Sequence, residues 1–412
     1  MGITRGSIFL TFCLVLDGQV KLPDPTGSFS VGRSVFFWTD ESRREEAVPG
    51  TNKPRELAAF VYYPAEAGSA FADYFPGLVG LVSAPETRML QLQFGSAWQT
   101  VASGSVRSHA YSDARFVRGR EKFPVLIFSP GLGVPVLAYT AQLEELASRG
   151  YVVVAIEHGN DAALIIRADH TLIPFVTPAL DAGPPTAAGL EVDRAIVIRW
   201  TADTKFALDE IVQLSRKRGT RFFGRLNLSQ IGIFGHSVGG KSSARLCQID
   251  SRVRACLNED GEIFGIPFGG SEPISSVIPD RPTKASFVDI FVPDPMSDSA
   301  LAEVHVTRKQ FEDWRNSKTQ ALRTFLHANS VPSYLITVRR SGYIHGSFID
   351  IRLLRATIAG TDAPQDASNL KLGTTFPQVF FDATLKNQGA DWKQMVSNPP
   401  EGVTVESLGA HR

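Results

Sequence analysis

The sequence predicts an α/β protein with a mostly parallel central sheet covered by helices on both faces. Apolar runs of strand length alternate along the 412 residues with segments of helical periodicity. These runs are continuously apolar, which is typical of strands buried on both faces. An alternation of strand and helix favours parallel strand connections. No internal repeat or low-complexity tract interrupts the pattern, so we expect one large domain.

Prolines, glycines or polar segments bound each predicted strand. Residues 125–129, for example, form a continuous apolar run between Pro124 and the pair Pro130-Gly131. The same reasoning places strands at 55–64, 125–129, 151–156, 230–234, 253–258, 286–292 and 333–338.

The predicted helices lie between and after these strands. Leu143, Leu146 and Ala147 share a helical face, and Gly150 suits the position that follows a helix C-terminus. A second amphipathic pattern covers 196–214. The remaining predicted helices lie at 241–246, 300–328, 348–359 and 376–385.

Several segments fall outside this alternation. The sheet domain is predicted to cover residues 22–390, and a C-terminal tail follows at 391–412. Two insertions within the domain, 161–191 and 264–284, are predicted to form loops at its rim or parts of a lid. The apolar run at 7–16 is too short to span a bilayer and fits either a signal-peptide core or a first strand. No small-x-small cleavage site follows it. We therefore expect a cytoplasmic protein, with secretion as the alternative.

Composition excludes several classes of function. The 42 Lys and Arg residues balance 42 Asp and Glu residues, whereas a nucleic-acid-binding surface needs a basic excess. Three cysteines without a Cys-x-x-Cys pair argue against a disulfide scaffold and against a structural zinc site. Phe outnumbers the other aromatic residues, 27 against 8 Tyr and 5 Trp, which suits a dry core or a lipid-facing surface.

A nucleophile elbow is the most informative motif. Residues 235–239, Gly-His-Ser-Val-Gly, fit the pattern G-x-S-x-G. The two glycines allow a turn so tight that the side chain of Ser237 projects above the sheet. A predicted strand precedes the motif and a predicted helix follows it, which is the context that this turn requires. Ser237 is the predicted nucleophile.

A serine nucleophile needs a base, and with this motif the order along the chain is serine, acid, histidine. His236 is the variable residue of the motif itself, and His305 and His327 fall in a polar helical stretch that suits solvated side chains. His345 follows the last predicted strand directly. Because parallel sheets place catalytic loops at the carboxyl ends of their strands, we predict that His345 is the base.

The position of the acid leaves two candidates. Asp260 follows one predicted strand directly, and Asp294 follows the next. Asp289 lies inside that second strand, so its carboxylate would leave the strand sideways, and Glu259 would point away from Asp260. Asp260 and Asp294 therefore both remain as partners of the histidine.

An oxyanion hole requires two N–H groups directed at the developing negative charge. The residue after the nucleophile, Val238, supplies one of them. The loop after the strand at 125–129 reads Pro-Gly-Leu-Gly, and its glycines allow it to bend and present the N–H of Leu132. Pro130 has no N–H and is excluded as a donor.

These motifs resemble those of the monomeric platelet-activating factor acetylhydrolases of the plasma and intracellular type, the group-VII phospholipase A2 enzymes of the α/β-hydrolase superfamily. In that family the acid follows the strand after the elbow, so the resemblance favours Asp260 over Asp294. The resemblance covers about residues 22–385 and rests on segments 22–27, 128–133, 156–158, 235–240, 258–261 and 345–350.

The resemblance implies an α/β-hydrolase fold and a calcium-independent serine esterase without cofactor or metal. Such an enzyme removes short or oxidised sn-2 acyl chains from phospholipids, in lipid degradation, through an acyl-enzyme. Family members dock on lipid through an apolar helix. The corresponding stretch here, 89–98, contains Gln91 and Gln93 and is more polar than an interfacial helix should be. Lipid contact through Phe75 and Phe94 stays an open question.

Two other functions remain as alternatives. One is a hydrolase or acyl transferase that acts on a soluble specialised metabolite, which the polar stretch and the rim insertions favour. The other is a catalytically inactive hydrolase fold that serves as a binding module. Against the second stands the presence of serine, acid and histidine in the required order.

Overall fold

A computed structural model describes residues 15–16, 19–177, 186–268, 275–276, 278, 282–293 and 296–409. In chain order its strands are β1 Val15–Leu16, β2 Gln19–Lys21, β3 Ser30–Arg44, β4 Pro54–Ala65, β5 Phe71–Asp73, β6 Val106–Ser112, β7 Phe123–Ser129, β8 Val152–His158, β9 Leu164–Ile166, β10 Leu172–Pro174, β11 Leu226–His236, β12 Val253–Glu259, β13 Phe264–Gly265, β14 Ser275–Ser276, β15 Ser286–Phe291, β16 Ser333–Val338 and β17 Val403–Leu408.

One large sheet dominates the described residues. Its order is β1-β2-β6-β3-β4-β8-β7-β11-β12-β15-β16-β17, with β5 on β6. The central six strands, β8 to β16 in this order, run parallel. The pairs β3–β4, β4–β8 and β16–β17 are antiparallel. The predicted α/β fold with a mostly parallel sheet is confirmed, and all seven predicted strands are present. Each predicted rim insertion carries a short hairpin, β9–β10 or β13–β14.

Helices cover both faces of this sheet. Alternate residues of β7 pack on opposite faces, with Leu126 and Phe128 on one side and Val125 and Ile127 on the other. The described helices are α1 Arg88–Phe94, α2 Trp98–Ala102, α3 Thr140–Ser148, α4 Ala187–Arg216, α5 Val238–Ile249, α6 Asp298–Glu303, α7 Arg308–Ala328, α8 Asp350–Ala359, α9 Ala363–Leu385 and α10 Ala390–Ser397. Core side chains of α3, α8 and α9 lie on the first side, and those of α4, α5 and α7 on the second.

Two predicted helices differ from the observed ones. The stretch predicted as one helix at 300–328 is divided into α6 and α7, because the chain turns at His305, whose φ is 56°. The helix predicted at 376–385 begins much earlier, at Ala363, and continues through Pro377.

The described part of the predicted tail belongs to the domain, which corrects the boundary drawn at residue 390. It contains α10, and β17 forms an edge of the sheet by pairing with β16. Only the two ends of β17, Val403 and Leu408, are buried, so it lacks the continuous apolar run by which central strands are recognised. At the other end of the chain, most of the apolar run at 7–16 lies outside the described residues.

The excess of Phe is largely a matter of core packing. Phe75 is 7% exposed and Phe94 is fully buried, so neither is available to lipid. The amide of Gln93 donates to the Gly133 carbonyl at 2.6 Å, and that of Gln91 donates to the Thr87 hydroxyl at 2.8 Å. The glutamines of this stretch therefore bind the protein itself. Of the described helices, none is long and apolar enough to cross a membrane.

A disulfide joins Cys247 of α5 to Cys256 of β12, with their Cα atoms 6.2 Å apart. Both residues are buried. The third cysteine, Cys13, lies outside the described residues. The bond ties the helix that follows Ser237 to the strand that precedes Asp260, and it is a local link rather than a scaffold of several bonds.

Candidate active site

The elbow is a sharp turn between β11 and α5. Ser237 has φ 55° and ψ −121°, a conformation that is costly for a residue with a side chain. A Cβ atom on Gly235 or Gly239 would come within 2.5 Å or 2.1 Å of the Ser129 carbonyl oxygen. Both positions of the motif therefore have to be glycine, and the backbone has the strand–turn–helix form that the motif requires.

Asp260 and His345 form a hydrogen-bonded pair at the carboxyl ends of β12 and β16. The Nδ1 atom of His345 lies 2.6 Å from Oδ2 of Asp260. The other carboxylate oxygen, Oδ1, accepts the N–H of Val292 at 2.8 Å. With Nδ1–H donated to the carboxylate, Nε2 of the half-exposed His345 is left as a proton acceptor. The rival acid, Asp294, lies outside the described residues.

A single cavity of about 570 Å³ is lined by Ser237, Asp260 and His345. The structure thus brings together three residues that lie 23 and 85 positions apart in the chain. The rest of the wall comes from α5, from β15, from the loops after β12 and β15 and from one face of α7. It includes Lys241, Glu262, Asp289, Phe311, Trp314, Arg315 and Lys318. Lys241 is held by the carboxylate of Asp193, with both oxygens 2.9 Å from Nζ.

Two neighbouring carboxyl groups are kept neutral by burial. Burial, together with the charge of Asp260, raises the pKa of Asp289 to about 8. Burial raises the pKa of Glu259 to about 8 as well. The amide of Asn258 donates to Asp289 at 2.7 Å and to the Gly261 carbonyl at 2.6 Å, which fixes the turn that carries Asp260. At pH 7, therefore, neither Asp289 nor Glu259 adds a second carboxylate charge beside the Asp260–His345 pair.

The pKa of Asp289 predicts a pH-dependent stability difference for Asp289→Asn. Because the folded protein retains this proton up to about pH 8 and the unfolded chain loses it near pH 4, wild-type stability falls as the pH rises between these values. Asparagine has no proton to lose. Relative to wild type, the variant should gain up to about 1.4 kcal/mol per pH unit in this interval. Urea unfolding at pH 5 and pH 8.5 measures this, and a pH-independent difference would contradict it.

The loop after β7 presents the N–H of Leu132. The N–H of Gly131 is donated to the Tyr139 hydroxyl at 3.0 Å, and that of Gly133 to the Asp161 carbonyl at 3.0 Å. Between them, the N–H of Leu132 has no acceptor in the part of the chain that the structure describes. Val238 is the first residue of α5, where an N–H has no intrahelical acceptor. Both predicted oxyanion donors are thus available.

Two residues without a sequence signal connect the parts of the site. His236 is buried, and burial lowers its pKa well below the ordinary range, so it is neutral. Its Nε2–H donates to the His345 carbonyl at 2.9 Å, which leaves Nδ1 to accept the hydroxyl of Tyr139 at 2.8 Å. The Tyr139 oxygen in turn accepts the N–H of Gly131. A continuous relay therefore runs from the oxyanion loop to the loop of His345.

This relay predicts the effect of Tyr139→Phe. Loss of the hydroxyl leaves the buried N–H of Gly131 and Nδ1 of His236 without partners, at a cost of about 1–3 kcal/mol each. We expect kcat to fall about tenfold, because the groups of the site are then less well positioned for the transition state. This corresponds to a rise of about 1.4 kcal/mol in the activation free energy, and KM should change little. Steady-state kinetics on p-nitrophenyl acetate measures this.

Tyr343→Phe is the matched control. Tyr343 is equally buried in the same region, but its hydroxyl has no hydrogen-bond partner among the described groups. This variant should retain the wild-type kcat. Equal losses in the two variants would show that the relay has no special role.

A second Ser–His–Asp arrangement lies beside the site. Ser129 Oγ is 2.8 Å from Nε2 of His158, and Nδ1 of His158 is 2.8 Å from Oδ2 of Asp203. All three residues are fully buried, and none lines the cavity of Ser237. Arg55 pairs with Asp203 at 2.7 Å and holds its pKa well below the usual range. We assign this group a structural role at the base of the oxyanion loop.

Several known esterases are similar to this chain in sequence. Residues 14–170 match the family model of platelet-activating factor acetylhydrolase, isoform II. A probable 1-alkyl-2-acetylglycerophosphocholine esterase of Arthroderma benhamiae is 24% identical over 257 residues, 59% of each chain. The platelet-activating factor acetylhydrolase of Cavia porcellus is 26% identical over 292 residues, 64% of this chain and 59% of its own. The matches thus span less than two thirds of these two relatives.

Two longer matches extend this picture. The platelet-activating factor acetylhydrolase of Bos taurus is 23% identical over 365 residues, 79% of this chain and 72% of its own. A ferulic acid esterase from Streptomyces cinnamoneus superposes with a TM-score of 0.66 at 21% identity, over 94% of this chain and 99% of its own. The chain thus has an α/β-hydrolase fold and is similar in sequence to the platelet-activating factor acetylhydrolases.

Proposed function

We propose that the protein is a serine carboxylester hydrolase that removes a short acyl group from a phospholipid or a similar ester through an acyl-enzyme. The observation that carries the proposal is the Asp260–His345 pair, 2.6 Å between carboxylate and imidazole, in the cavity lined by Ser237. The esterase and acetylhydrolase names of the relatives support the same reaction.

Each residue has a separate task in this mechanism. Nε2 of His345 takes the proton of Ser237 as Oγ attacks the ester carbonyl carbon. The carboxylate of Asp260 holds the imidazole by its Nδ1–H and stabilises the imidazolium that forms. The N–H groups of Leu132 and Val238 stabilise the oxyanion of the tetrahedral intermediate. The intermediate collapses to the acyl-enzyme, and His345 protonates the departing alcohol. Water, deprotonated by His345, then releases the acid.

The phospholipid is the first candidate substrate because relatives are named for a 1-alkyl-2-acetylglycerophosphocholine and for platelet-activating factor. A soluble ester is the second candidate. It is favoured by the internal hydrogen bonds of Gln91 and Gln93, and by the burial of Phe75 and Phe94. The large apolar side chains exposed between residues 74 and 98 are Val79 and Leu92.

A substrate panel tests the proposal. Hydrolysis of p-nitrophenyl acetate and of a 1-alkyl-2-acetylglycerophosphocholine is measured below and above the micelle threshold of the lipid, with Ser237→Ala as the blank. Activity that rises at the threshold supports a lipid interface, and equal specific activity on both sides supports a soluble ester. Failure to hydrolyse any ester of the panel would overturn the proposal.

A further inference from the structure

The cavity beside Ser237 has a cationic wall formed by one face of α7. Phe311, Arg315, Lys318 and Leu322 recur at intervals of three or four residues, so they lie on the same side of the helix. Together with Trp314, which is adjacent to Arg315, they line the cavity. The reaction proposed above uses none of them. Their charges are a separate feature of the site.

Most charges around the cavity are already matched. The ammonium of Lys241 is held by Asp193, and that of Lys318 pairs with Glu262 and lies 3.6 Å from the centre of the Trp314 ring. Asp260 is bonded to His345. The two lysine–carboxylate pairs contribute no net charge that would attract an anion.

Arg315 is different. Its guanidinium is 5.6 Å from the centre of the Phe311 ring, and it forms no ion pair with any carboxylate of the described residues. The side chain is half-buried in the cavity wall. Asp289, the remaining carboxyl group of the wall, is neutral at pH 7 because burial raises its pKa to about 8. Among the described residues, Arg315 is therefore the one Lys or Arg of the cavity wall without an ion-pair partner.

An arginine in this setting suits a planar or tetrahedral oxyanion. Its five N–H donors match carboxylate and phosphate groups, and a partly dehydrated site strengthens the attraction. A cavity of about 570 Å³ is within the range that holds one small ligand. Ser237 and Arg315 both line this cavity, so one ester bound in it can present its carbonyl group to Ser237 and an anionic group to Arg315.

We propose that Arg315 forms an anion subsite that selects esters carrying a negatively charged group, a carboxylate or a phosphate diester. The proposal rests on the function proposed above and narrows its substrate class. Lys318, one turn further along α7, adds a second N–H donor group at the same wall while its own charge is offset by Glu262. A carboxylate would come from a soluble ester and a phosphate diester from a lipid head group.

The test compares esters that carry an anionic group with related esters that lack it. One pair is 4-acetoxybenzoate and its neutral methyl ester. The other is a short-chain 1-alkyl-2-acetylglycerophosphocholine, below its micelle threshold, and the corresponding 1-alkyl-2-acetylglycerol. Arg315→Gln should raise KM for at least one anionic ester about tenfold and change the neutral partners less than twofold. The pair that responds identifies the source of the anion.

Two variants serve as controls. Arg315→Lys keeps the positive charge and should restore most of the lost affinity. Lys309→Gln removes one cation from the same helix, but its side chain is 84% exposed and does not line the cavity, so KM should stay at the wild-type value. A KM that rises equally for charged and neutral esters in Arg315→Gln would overturn the subsite.

Binding without turnover separates this proposal from the proposed function. Calorimetry on Ser237→Ala measures the affinity for each anionic ester, and the double variant Ser237→Ala, Arg315→Gln should bind about tenfold more weakly. If wild type hydrolyses no ester but this difference in affinity is present, the anion subsite is supported and the hydrolase function is contradicted. If esters are hydrolysed and the single and double variants bind with equal affinity, the anion subsite is contradicted and the hydrolase function is supported.

Discussion

Replacing Ser237 by alanine is expected to lower kcat on p-nitrophenyl acetate by about 10⁴-fold or more, with complete loss of the initial burst. The serine is the only proposed attachment point of the acyl group, so without Oγ no acyl-enzyme accumulates. Alanine has a Cβ atom like serine, so the substitution changes the backbone strain at this position little and should leave the elbow intact. Stopped-flow measurement of the burst and labelling with a fluorophosphonate probe both report on the reaction.

Ser129→Ala is the matched control, because Ser129 is the serine of the second Ser–His–Asp arrangement. Its hydroxyl is buried and lies outside the cavity, so the variant should still be labelled by the probe. The loss of the bond to His158 should instead lower the free energy of unfolding by about 1–3 kcal/mol. Labelling that persists in Ser237→Ala and disappears in Ser129→Ala would show that the nucleophile has been assigned to the wrong serine.

Asp260→Asn is expected to reduce kcat by about 10⁴-fold with the fold retained. An asparagine oxygen can still accept the N–H of Val292, as Oδ1 of Asp260 does. Its amide presents a donor to Nδ1 of His345, however, and thereby favours the tautomer in which Nε2 carries the proton. That tautomer cannot accept the proton of Ser237. Activity on p-nitrophenyl acetate and the far-UV circular dichroism spectrum measure the two parts of the prediction.

Two other aspartates, Asp289 and Asp294, provide the controls for this assignment. Asp289→Asn replaces a carboxyl group that is already neutral at pH 7, so activity there should stay within a few-fold of wild type. Asp294→Asn should also be mild if Asp260 is the acid. A mild Asp260→Asn combined with a severe Asp294→Asn would reverse the assignment.

The parts of the fold that the sequence predicts are those with a local physical signature. The central strands are buried on both faces and read as continuous apolar runs, and the elbow at Ser237 requires glycine on both sides. β17 lacks such a run because its middle residues are only half-buried, and α9 continues through Pro377 where proline normally argues for an end.

The site divides in the same way. Ser237 and His345 follow from the motif and from the order of the elements, whereas the choice of Asp260 over Asp294 needed the family resemblance. The relay through Tyr139 and His236 could not be predicted, because its two members are 97 residues apart and each is an ordinary core residue when considered alone.

The buried Ser129–His158–Asp203 group has a consequence for the recognition of enzymes from coordinates. A template search that scores only distances between side-chain atoms would accept it, since both of its hydrogen bonds are 2.8 Å long. The two arrangements in this chain are distinguished by other quantities: the left-handed backbone at Ser237, which β7 does not have at Ser129, and an open path from solvent to the hydroxyl. Scoring backbone torsion and solvent path together with distance would reject the buried triple and keep the arrangement at Ser237.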